Sequence, residues 1–239
     1  MLTARAKKLM PFFVPEERGF MLRVSKEIGK SNLHQPVLYA GSGGDVEHAV
    51  VLGDRLVFVD SHLPEETLSE IRNRVTQIGG KILEEEQLGK FGAGGKHIIR
   101  FKLFGEIELI YYAEDATKIG LDFMPEELKE GCSVYFVKVP LPKEARVGSL
   151  ASPDSLSRAL RLIVLGGFYL ERECPLCRVL SPEVLGFEKV ASGYISALSI
   201  NYDEKGNLYR KTREVENILD LLKLDYELYT KQKKSLYLH

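Results

Sequence analysis

Two kinds of hydrophobic pattern alternate along the chain. Short apolar runs without a helical period, such as residues 37–40 and 56–59, predict strands that are buried on both faces. Apolar residues that recur every three or four positions, as in residues 68–78 and 156–164, predict helices with one buried face. This alternation predicts a doubly wound α/β fold, with a mostly parallel sheet and helices on both of its faces.

The clearest succession of elements lies in residues 36–62. A predicted strand is followed at once by a turn rich in glycine, then by a short predicted helix, and then by a second buried strand. The turn reads Gly41, Ser42, Gly43, Gly44 and Asp45, and the second strand runs into Asp60 and Ser61. Strand, glycine turn, helix, strand and acid form the first half of a nucleotide-binding α/β unit.

Each part of this unit has a chemical reason. Glycine lets the backbone approach a ligand where a Cβ atom would collide, and the next helix presents unpaired N–H groups at the carboxyl edge of the sheet. Asp60 is predicted at the same edge, where its carboxylate can accept both ribose hydroxyls of an adenosine ligand. The alternative is that the glycines form only a tight turn and that Asp60 is a solvated strand end.

The spacing of the glycines narrows the choice of nucleotide. A dinucleotide fingerprint needs a third glycine three residues after the second, and that position is Val46. A phosphate-binding loop needs Gly-Lys followed by Ser or Thr, and the turn contains no such run. A nicotinamide-dependent oxidoreductase is therefore the weaker alternative.

The turn resembles the cofactor turn of the class I S-adenosylmethionine-dependent methyltransferases, which have a Rossmann-like fold. In that family the first strand usually ends acid-x-Gly-x-Gly-x-Gly, and the second strand ends in an acid that holds the ribose. Gly41 and Gly43 match the first two glycines, and Asp60 matches the ribose acid. Two positions depart from the pattern, because Tyr39 replaces the usual acid and Asp45 replaces the third glycine.

The resemblance implies S-adenosylmethionine as the cofactor. It places this cofactor against residues 41–45, Asp60 and Ser61, and it places the adenine beside Asp115 and Ala116, which follow the third predicted strand. Because the usual acid is missing, we expect the carboxylate in the first turn of the helix, at residue 45, to face the ammonium group of the cofactor. The alternative is that this carboxylate only interacts favourably with the dipole of the helix.

The resemblance also implies the topology. It predicts a seven-stranded sheet in the order 3-2-1-4-5-7-6 with one reversed strand, within residues 35–239, preceded by an N-terminal helical segment in residues 1–34. Two insertions are expected near residues 80–104 and 174–211. The first would add an edge strand over residues 97–104. The second would form a hairpin that covers the site, or one that merely decorates the domain.

Further predictions concern the second half of the domain. Residues 152–154 read Ser-Pro-Asp, a strong helix start. Gly166 and Gly167 are predicted to end that helix before the next strand begins. After a further helix, the last two strands are predicted at residues 226–230 and 235–239.

Composition bounds the class of protein. The chain has 239 residues, of which 44% are hydrophobic and 28% are charged, as expected of a globular protein with a sizeable core. The formal net charge of -1 argues against a strong electrostatic grip on nucleic acid, so a small molecule is favoured as the methyl acceptor. We expect a cytoplasmic protein without a membrane segment, because no apolar run reaches the length of a span, no signal region is found, and the three cysteines do not make a disulfide scaffold.

No other catalytic or metal motif stands out. Cys174 and Cys177 have the spacing of a redox dithiol, but a structural zinc site needs two such pairs, so two ordinary thiols are the preferred interpretation. The five histidines show no metal-ligand spacing. No catalytic residue is assigned, because methyl transfer from a sulfonium requires mainly that the acceptor be aligned.

The predicted function is methyl transfer from S-adenosylmethionine to an acceptor that the sequence does not identify. The alternative is a catalytically degenerate binding or scaffold protein on the same fold, since fold does not fix function. This alternative is supported by Tyr39, which stands in the place of the usual acid. The oligomeric state is left open.

Overall fold

The computed structural model describes residues 2–61, 63–137, 150–172, 176–195 and 205–236. Within them the helices are α1 (Leu2–Leu9), α2 (Pro15–Lys30), α3 (Val46–Ala49), α4 (Pro64–Gln77), α5 (Pro153–Leu162) and α6 (Ile218–Leu236). The strands are β1 (Val37–Ala40), β2 (Arg55–Val59), β3 (Lys81–Leu88), β4 (Lys96–Lys102), β5 (Glu106–Tyr112), β6 (Cys132–Val137), β7 (Ile163–Arg172), β8 (Phe187–Tyr194) and β9 (Lys205–Lys211). The predicted α/β class is confirmed.

The described strands form one sheet in the order β3-β4-β5-β2-β1-β6-β7-β9-β8. The strands β5, β2, β1, β6 and β7 are parallel, and β9 runs against both of its neighbours. When β3 and β4 are set aside, the other seven strands can be renumbered 1 to 7 in chain order. They then lie in the predicted order 3-2-1-4-5-7-6, with one reversed strand. The sheet has nine strands rather than seven because the antiparallel strands β3 and β4 extend it beyond β5.

The predicted positions of the last two strands were wrong. Residues 226–230 lie inside α6, which also covers the start of the range 235–239; the rest of that range lies outside the described residues. Ile218, Leu222 and Asp225 are buried at helical spacing. The two apolar residues of this stripe pack in the same cluster as α5, and this tertiary packing outweighs the strand propensity of the tyrosines that follow.

The last two strands of the sheet are instead β8 and β9, which lie in the segment predicted as an insertion at residues 174–211. This segment therefore supplies part of the sheet, and the interpretation of it as a removable cover over the site does not hold. Its residues 196–204 lie outside the described part of the chain. The segment near residues 80–104 adds two strands, β3 and β4, to the seven-strand order. The single edge strand predicted at residues 97–104 is therefore wrong in one respect, because β4 pairs on both sides and β3 forms the edge.

The two glycines that were predicted to end α5 lie inside β7. This strand follows α5 directly, and its register against β6 shifts between Ile163 and Phe168. Gly166 has a φ angle of 81°, and a Cβ atom at Gly167 would lie 2.9 Å from the carbonyl oxygen of Ser133. The irregularity in the strand therefore requires glycine at both positions.

Each face of the sheet buries a separate hydrophobic cluster. The apolar faces of α1, α2, α3 and α4 belong to one cluster, and those of α5 and α6 belong to the other. Along β1 the side chains alternate between the two, because Tyr39 lies in the first cluster while Leu38 and Ala40 lie in the second. The sheet is thus the middle layer of a three-layer domain.

The N-terminal helix α2 packs closely on the last two strands. Its Phe20 side chain lies against Gly193 of β8 and Gly206 of β9, and a Cβ atom at either glycine would collide with the phenylalanine. Arg23 also donates a hydrogen bond from Nη2 to the carbonyl oxygen of Ser192 (3.0 Å). These contacts fix α2 on the sheet.

A buried arginine connects α1 to the end of α3. Arg5 donates hydrogen bonds from Nη1 to the carbonyl oxygens of Val50 (2.7 Å) and Gly53 (3.1 Å), and it forms an ion pair with Asp54. A helix leaves its last carbonyl groups without partners inside the helix. Arg5 supplies donors at this point and so fixes the segment that joins α3 to β2.

Candidate functional site

The glycine turn joins β1 to α3 at the carboxyl edge of the parallel strands. Gly41 and Gly43 have φ angles of 66° and 50°, in the left-handed region that glycine adopts without strain. A Cβ atom at Gly44 would collide with the Glu70 side chain of α4. The N–H of Gly41 donates to the carbonyl oxygen of Val59 (2.9 Å), so the turn is fixed against the end of β2.

Asp60 follows β2 and contacts the turn from the side. Its Oδ2 atom accepts a hydrogen bond from the N–H of Gly43 (2.7 Å), and only 3% of the residue is exposed. Its own N–H donates to the carbonyl oxygen of Tyr112 at the end of β5 (3.1 Å). The acid and the glycine turn singled out by the sequence are therefore in direct contact, at the ends of adjacent strands.

Ser42 presents a polar group without a partner inside the turn. Among the described residues, no hydrogen-bond partner is found for its buried hydroxyl oxygen. Buried polar groups are nearly always hydrogen bonded, so an orphaned one is typical of a place that a ligand or a water molecule fills. Next to it, a Cβ atom built on Gly43 would have no other atom of the described chain within 4 Å. The turn therefore combines an unpaired hydroxyl with open backbone, which fits a polar ligand.

The remaining predicted residues lie at the same edge but are less buried. Ser61 is exposed. Asp115, just beyond β5, is exposed as well, and its Oδ1 atom accepts hydrogen bonds from the N–H (2.9 Å) and the hydroxyl (2.7 Å) of Thr117. It thereby caps the short 3-10 turn that begins at the partly buried Ala116. Because β5 pairs with β2, this cap stands beside the strand end that carries Asp60.

A buried chain of hydrogen bonds leads from the turn to α2. The Oδ2 atom of Asp45 accepts from the hydroxyl of Tyr39 (2.7 Å), and its Oδ1 atom lies 2.8 Å from Nδ1 of His48. On the far side of the ring, Nε2 of His48 lies 3.3 Å from Oε2 of Glu17. These four residues, each at most 5% exposed, are named the Asp45 network.

Aromatic rings enclose the Asp45 network. Phe13 meets the His48 ring edge-on, with 5.1 Å between the ring centroids. Phe136 of β6 stacks on Tyr39 at 4.3 Å. Surroundings of this kind have a low dielectric constant, so the interactions between the charged groups are stronger here than at the surface.

The position of Asp45 bears on its predicted role. It is the N-cap residue of α3, but its side chain makes no capping hydrogen bond, because the carboxylate points into the network instead. Both of its oxygens have protein partners, Tyr39 and His48. An interaction with the ammonium of a cofactor stays a prediction, and it requires the ligand to share this carboxylate with those partners.

A second buried carboxyl group lies near the end of β7. Glu171 accepts hydrogen bonds from the side-chain amide of Asn207 (2.7 Å), the hydroxyl of Tyr209 (3.1 Å) and the N–H of Leu176 (2.6 Å). Burial raises the pKa of Glu171 to about 8, because the loss of hydration outweighs the three hydrogen bonds that favour the charged form. This residue is therefore largely protonated in the folded protein at neutral pH.

The cysteines are poorly suited to thiolate chemistry. Burial raises the pKa of the Cys177 thiol to about 12, and the negative charge of the nearby Asp225 carboxylate makes the second largest contribution. Burial also raises the pKa of the Cys132 thiol to about 12. Cys174 lies outside the described residues. In the part of the chain that the structure describes, no group of three or more histidine, cysteine or acidic residues is arranged to hold a metal ion, and no helix has the length and apolarity needed to cross a bilayer.

Comparison with known proteins finds similarity in structure but not in sequence. No protein-family model matches the chain, and no curated protein matches it. Similar solved structures include an rRNA methylase from Streptococcus thermophilus, at 12% identity and a TM-score of 0.44, over 79% of this chain and 94% of that chain. The N-methyltransferase NodS from Bradyrhizobium japonicum, in complex with S-adenosylhomocysteine, is 10% identical with a TM-score of 0.46, over 83% of this chain and 89% of that one.

A third similar structure is the 16S rRNA N2 G1207 methyltransferase RsmC from T. thermophilus, in complex with S-adenosylmethionine and guanosine. It is 12% identical with a TM-score of 0.46, over 84% of this chain and 43% of that chain. By name, all three are methylases or methyltransferases. Identities and scores this low carry no argument about the activity of this chain, so its function is argued from its own residues.

Proposed function

We propose that the protein binds S-adenosylmethionine at the glycine turn and transfers its methyl group to an acceptor. The observation that carries the proposal is the contact between Asp60 and Gly43 at the carboxyl edge of the sheet. The chain proceeds from β1 through β2 to β5 on one side and then returns to β6 on the other side, so the strand order reverses at β1. Open α/β sheets bind their ligands in the crevice outside such a switch point.

The ribose side of the proposed site rests on three residues. The Asp60 carboxylate accepts hydrogen bonds from the ribose hydroxyls, as the strand-end acid at this position is placed to do. The unpaired Ser42 hydroxyl gains a partner from the ligand. The open side of Gly43 leaves room for the ligand to approach the backbone.

The two ends of the cofactor extend from this centre. The adenine lies toward Ser61, Asp115 and Ala116, at the ends of the adjacent strands β2 and β5. The amino-acid end lies toward Asp45, whose carboxylate supplies a negative charge next to the first turn of α3. Exposed Asp115 already caps a 3-10 turn, so its contact with the adenine amine would be shared with Thr117.

The chain contributes binding and orientation to the reaction. When bound, the cofactor supplies a methyl group that its sulfonium already activates. The residues of the protein hold the donor in one pose and let the acceptor approach from a single direction, which is the effect that converts a bimolecular reaction into an intramolecular one. We propose a small-molecule acceptor rather than nucleic acid, and the net charge of -1 supports this choice.

The test is isothermal titration calorimetry with three ligands. We expect S-adenosylmethionine and S-adenosylhomocysteine to bind and NAD to give no heat. A folded protein that binds neither sulfur compound would refute the proposal. Transfer of labelled methyl groups to a panel of small amines, hydroxyls and thiols then identifies the acceptor. Binding without transfer to any acceptor, nucleic acid included, would favour a protein that retains the fold and has lost the reaction.

A further inference from the structure

We infer that the Asp45 network makes α2 part of the proposed cofactor site. In this inference Glu17 and His48 are positioning residues, because they act through Asp45 and hold the glycine turn in the conformation that binds ligand. The identity of the ligand rests on the proposed function. The effect on the turn does not depend on it.

Asp45 belongs both to the network and to the glycine turn. Its N–H donates to the carbonyl oxygen of Ser42 (3.1 Å), which closes the turn. Gly43, which follows Ser42 in the chain, donates its N–H to Oδ2 of Asp60. A displacement of the Asp45 side chain therefore acts on the residues that carry the unpaired hydroxyl and the open backbone.

The arrangement of donors and acceptors fixes the side chain of His48. A neutral imidazole has one N–H group, whereas both of its ring nitrogens here face carboxyl groups, those of Asp45 and Glu17. Whichever ring nitrogen carries the N–H therefore donates to a carboxyl oxygen. A hydrogen bond from an N–H to a carboxylate is charge-assisted, and such bonds are shorter and stronger than neutral ones.

Packing alone does not account for the network. Burying ionisable groups costs hydration energy, and apolar residues of similar volume commonly fill such places with equal or greater stability. Glu17 and His48 are 1% and 5% exposed, and they are surrounded by residues of the hydrophobic cluster. A series of hydrogen bonds that ends on the glycine turn is instead suited to keeping that turn in one conformation.

The neighbouring helices hold the other side of α3. Arg74 of α4 forms an ion pair with Glu47 of α3 (2.6 Å), and Arg5 of α1 binds the carbonyl oxygen of Val50. The short helix is therefore held from three directions, and the contact from Glu17 leads through His48 to Asp45 of the glycine turn. Removing that contact should release the turn while the rest of the domain stays folded.

Glu17→Met is the variant that tests this inference. Methionine keeps the approximate length of the side chain and has no N–H or oxygen to bond the His48 ring, whereas the amide of glutamine could donate to a neutral imidazole and replace the contact. The hydrogen bond that Oε1 of Glu17 accepts from the N–H of Val14 (3.2 Å) is lost as well, and this loss concerns the start of α2. Glu16→Met is the matched control, because Glu16 lies in the same first helical turn but is exposed. Both variants remove one acidic partner of the helix dipole.

Two measurements are made on each protein. Hydrogen–deuterium exchange of the ligand-free protein should rise roughly fivefold or more over residues 41–45 in Glu17→Met, without a change in β4 and β5. The dissociation constant for S-adenosylhomocysteine should rise by roughly fivefold or more, the lower range of coupling between sites. The Glu16→Met control should match the wild type in both.

The outcomes separate the two proposals. Unchanged exchange over the turn overturns the inference, and so does a uniform rise over the whole sheet, since that would indicate a structural role only. If the turn loosens but the wild type does not bind S-adenosylhomocysteine, the proposed function fails while the positioning role stands. If Glu17→Met does not fold, the double variant Glu17→Met with His48→Leu, which leaves no buried imidazole without a partner, is measured against the same criteria.

Discussion

Asp60→Asn tests the proposed cofactor site most directly, since it removes the charge of the side chain and keeps its size. The amide oxygen of asparagine can still accept the hydrogen bond that the N–H of Gly43 donates at 2.7 Å. The turn should therefore keep its conformation. The variant loses only the charged acceptor for the ribose hydroxyls.

The expected magnitude follows from the bonds involved. Hydrogen bonds to charged groups contribute about 1.5–3 kcal/mol each, so weakening one or two of them should raise the dissociation constant by roughly tenfold to a few hundredfold. Asp60→Ala should also leave the part-buried N–H of Gly43 without its protein partner, which should lower the free energy of unfolding by about 1 kcal/mol, the lower end of the cost of an unsatisfied buried donor. Asn is thus expected to affect binding alone, and Ala to affect binding and stability.

The assay combines calorimetry with S-adenosylhomocysteine and thermal unfolding of the free protein. For a domain of this size, 1 kcal/mol corresponds to about 2–4 °C in the melting temperature, so the two variants should be distinguishable. Asp122→Asn, at an exposed aspartate, serves as the control for the loss of one negative charge. Wild-type affinity in both Asp60 variants would refute the assignment of this residue to the ribose.

Three further variants test other parts of the structure. Because the pKa of Glu171 is raised to about 8 in the folded protein, folding retains a proton that the unfolded chain loses, and the free energy of unfolding should fall by up to about 1.4 kcal/mol per unit as the pH rises from about 5 to 8. Urea denaturation of Glu171→Gln should show a flatter profile over that range, and an unchanged slope contradicts the assignment. Arg5→Met should lower the free energy of unfolding by about 1.5–3 kcal/mol through the lost bond to Val50, whereas Lys7→Met, at an exposed position, should not; equal unfolding curves would count against the anchoring role. Asp45→Asn should weaken binding of S-adenosylmethionine more than that of 5′-methylthioadenosine, which lacks the ammonium group, and equal losses would favour a role in holding the turn rather than a contact with the ammonium group.

The parts of the site that sequence could predict are those that depend on local order along the chain. The glycine turn follows a buried strand directly, and Asp60 follows the next one, so parallel pairing alone brings them to the same edge. The strand order then follows from the resemblance to one family of folds. Neither inference needs knowledge of a specific side-chain contact.

The Asp45 network was missed because Glu17 is far in the chain from the other three members and contacts His48 only through tertiary packing. Glu17 and His48 are separated by 31 positions. One signal was available, since Glu17 falls on the apolar face of α2 that Phe20, Met21 and Val24 define. An acid on a buried helical face needs a buried partner, although the sequence does not say which one.

The confusion of α6 with two strands has a related cause. Tyrosine and threonine in the second half of α6 favour strands intrinsically, but their conformation is decided by the neighbours that they find. Conversely, the hairpin of β8 and β9 was recognised as a hairpin in outline. Its membership of the main sheet depends on the pairing of β9 with β7, which no local pattern specifies.

The position of β9 between β7 and β8 has a consequence for how the protein is made. On the ribosome β8 emerges before β9, yet β9 is its one partner among the described strands of the sheet. Until residue 211 has left the exit tunnel, β7 and β8 each carry an unpaired edge, and such edges are templates for pairing with other chains. The helix α2 is synthesised long before these strands. Its Phe20 side chain contacts glycines of both β8 and β9, so it offers a surface on which β8 can pack before β9 has emerged. The unpaired edge of β8 is therefore exposed at the stage of synthesis at which residue 194 has left the exit tunnel and residue 211 has not.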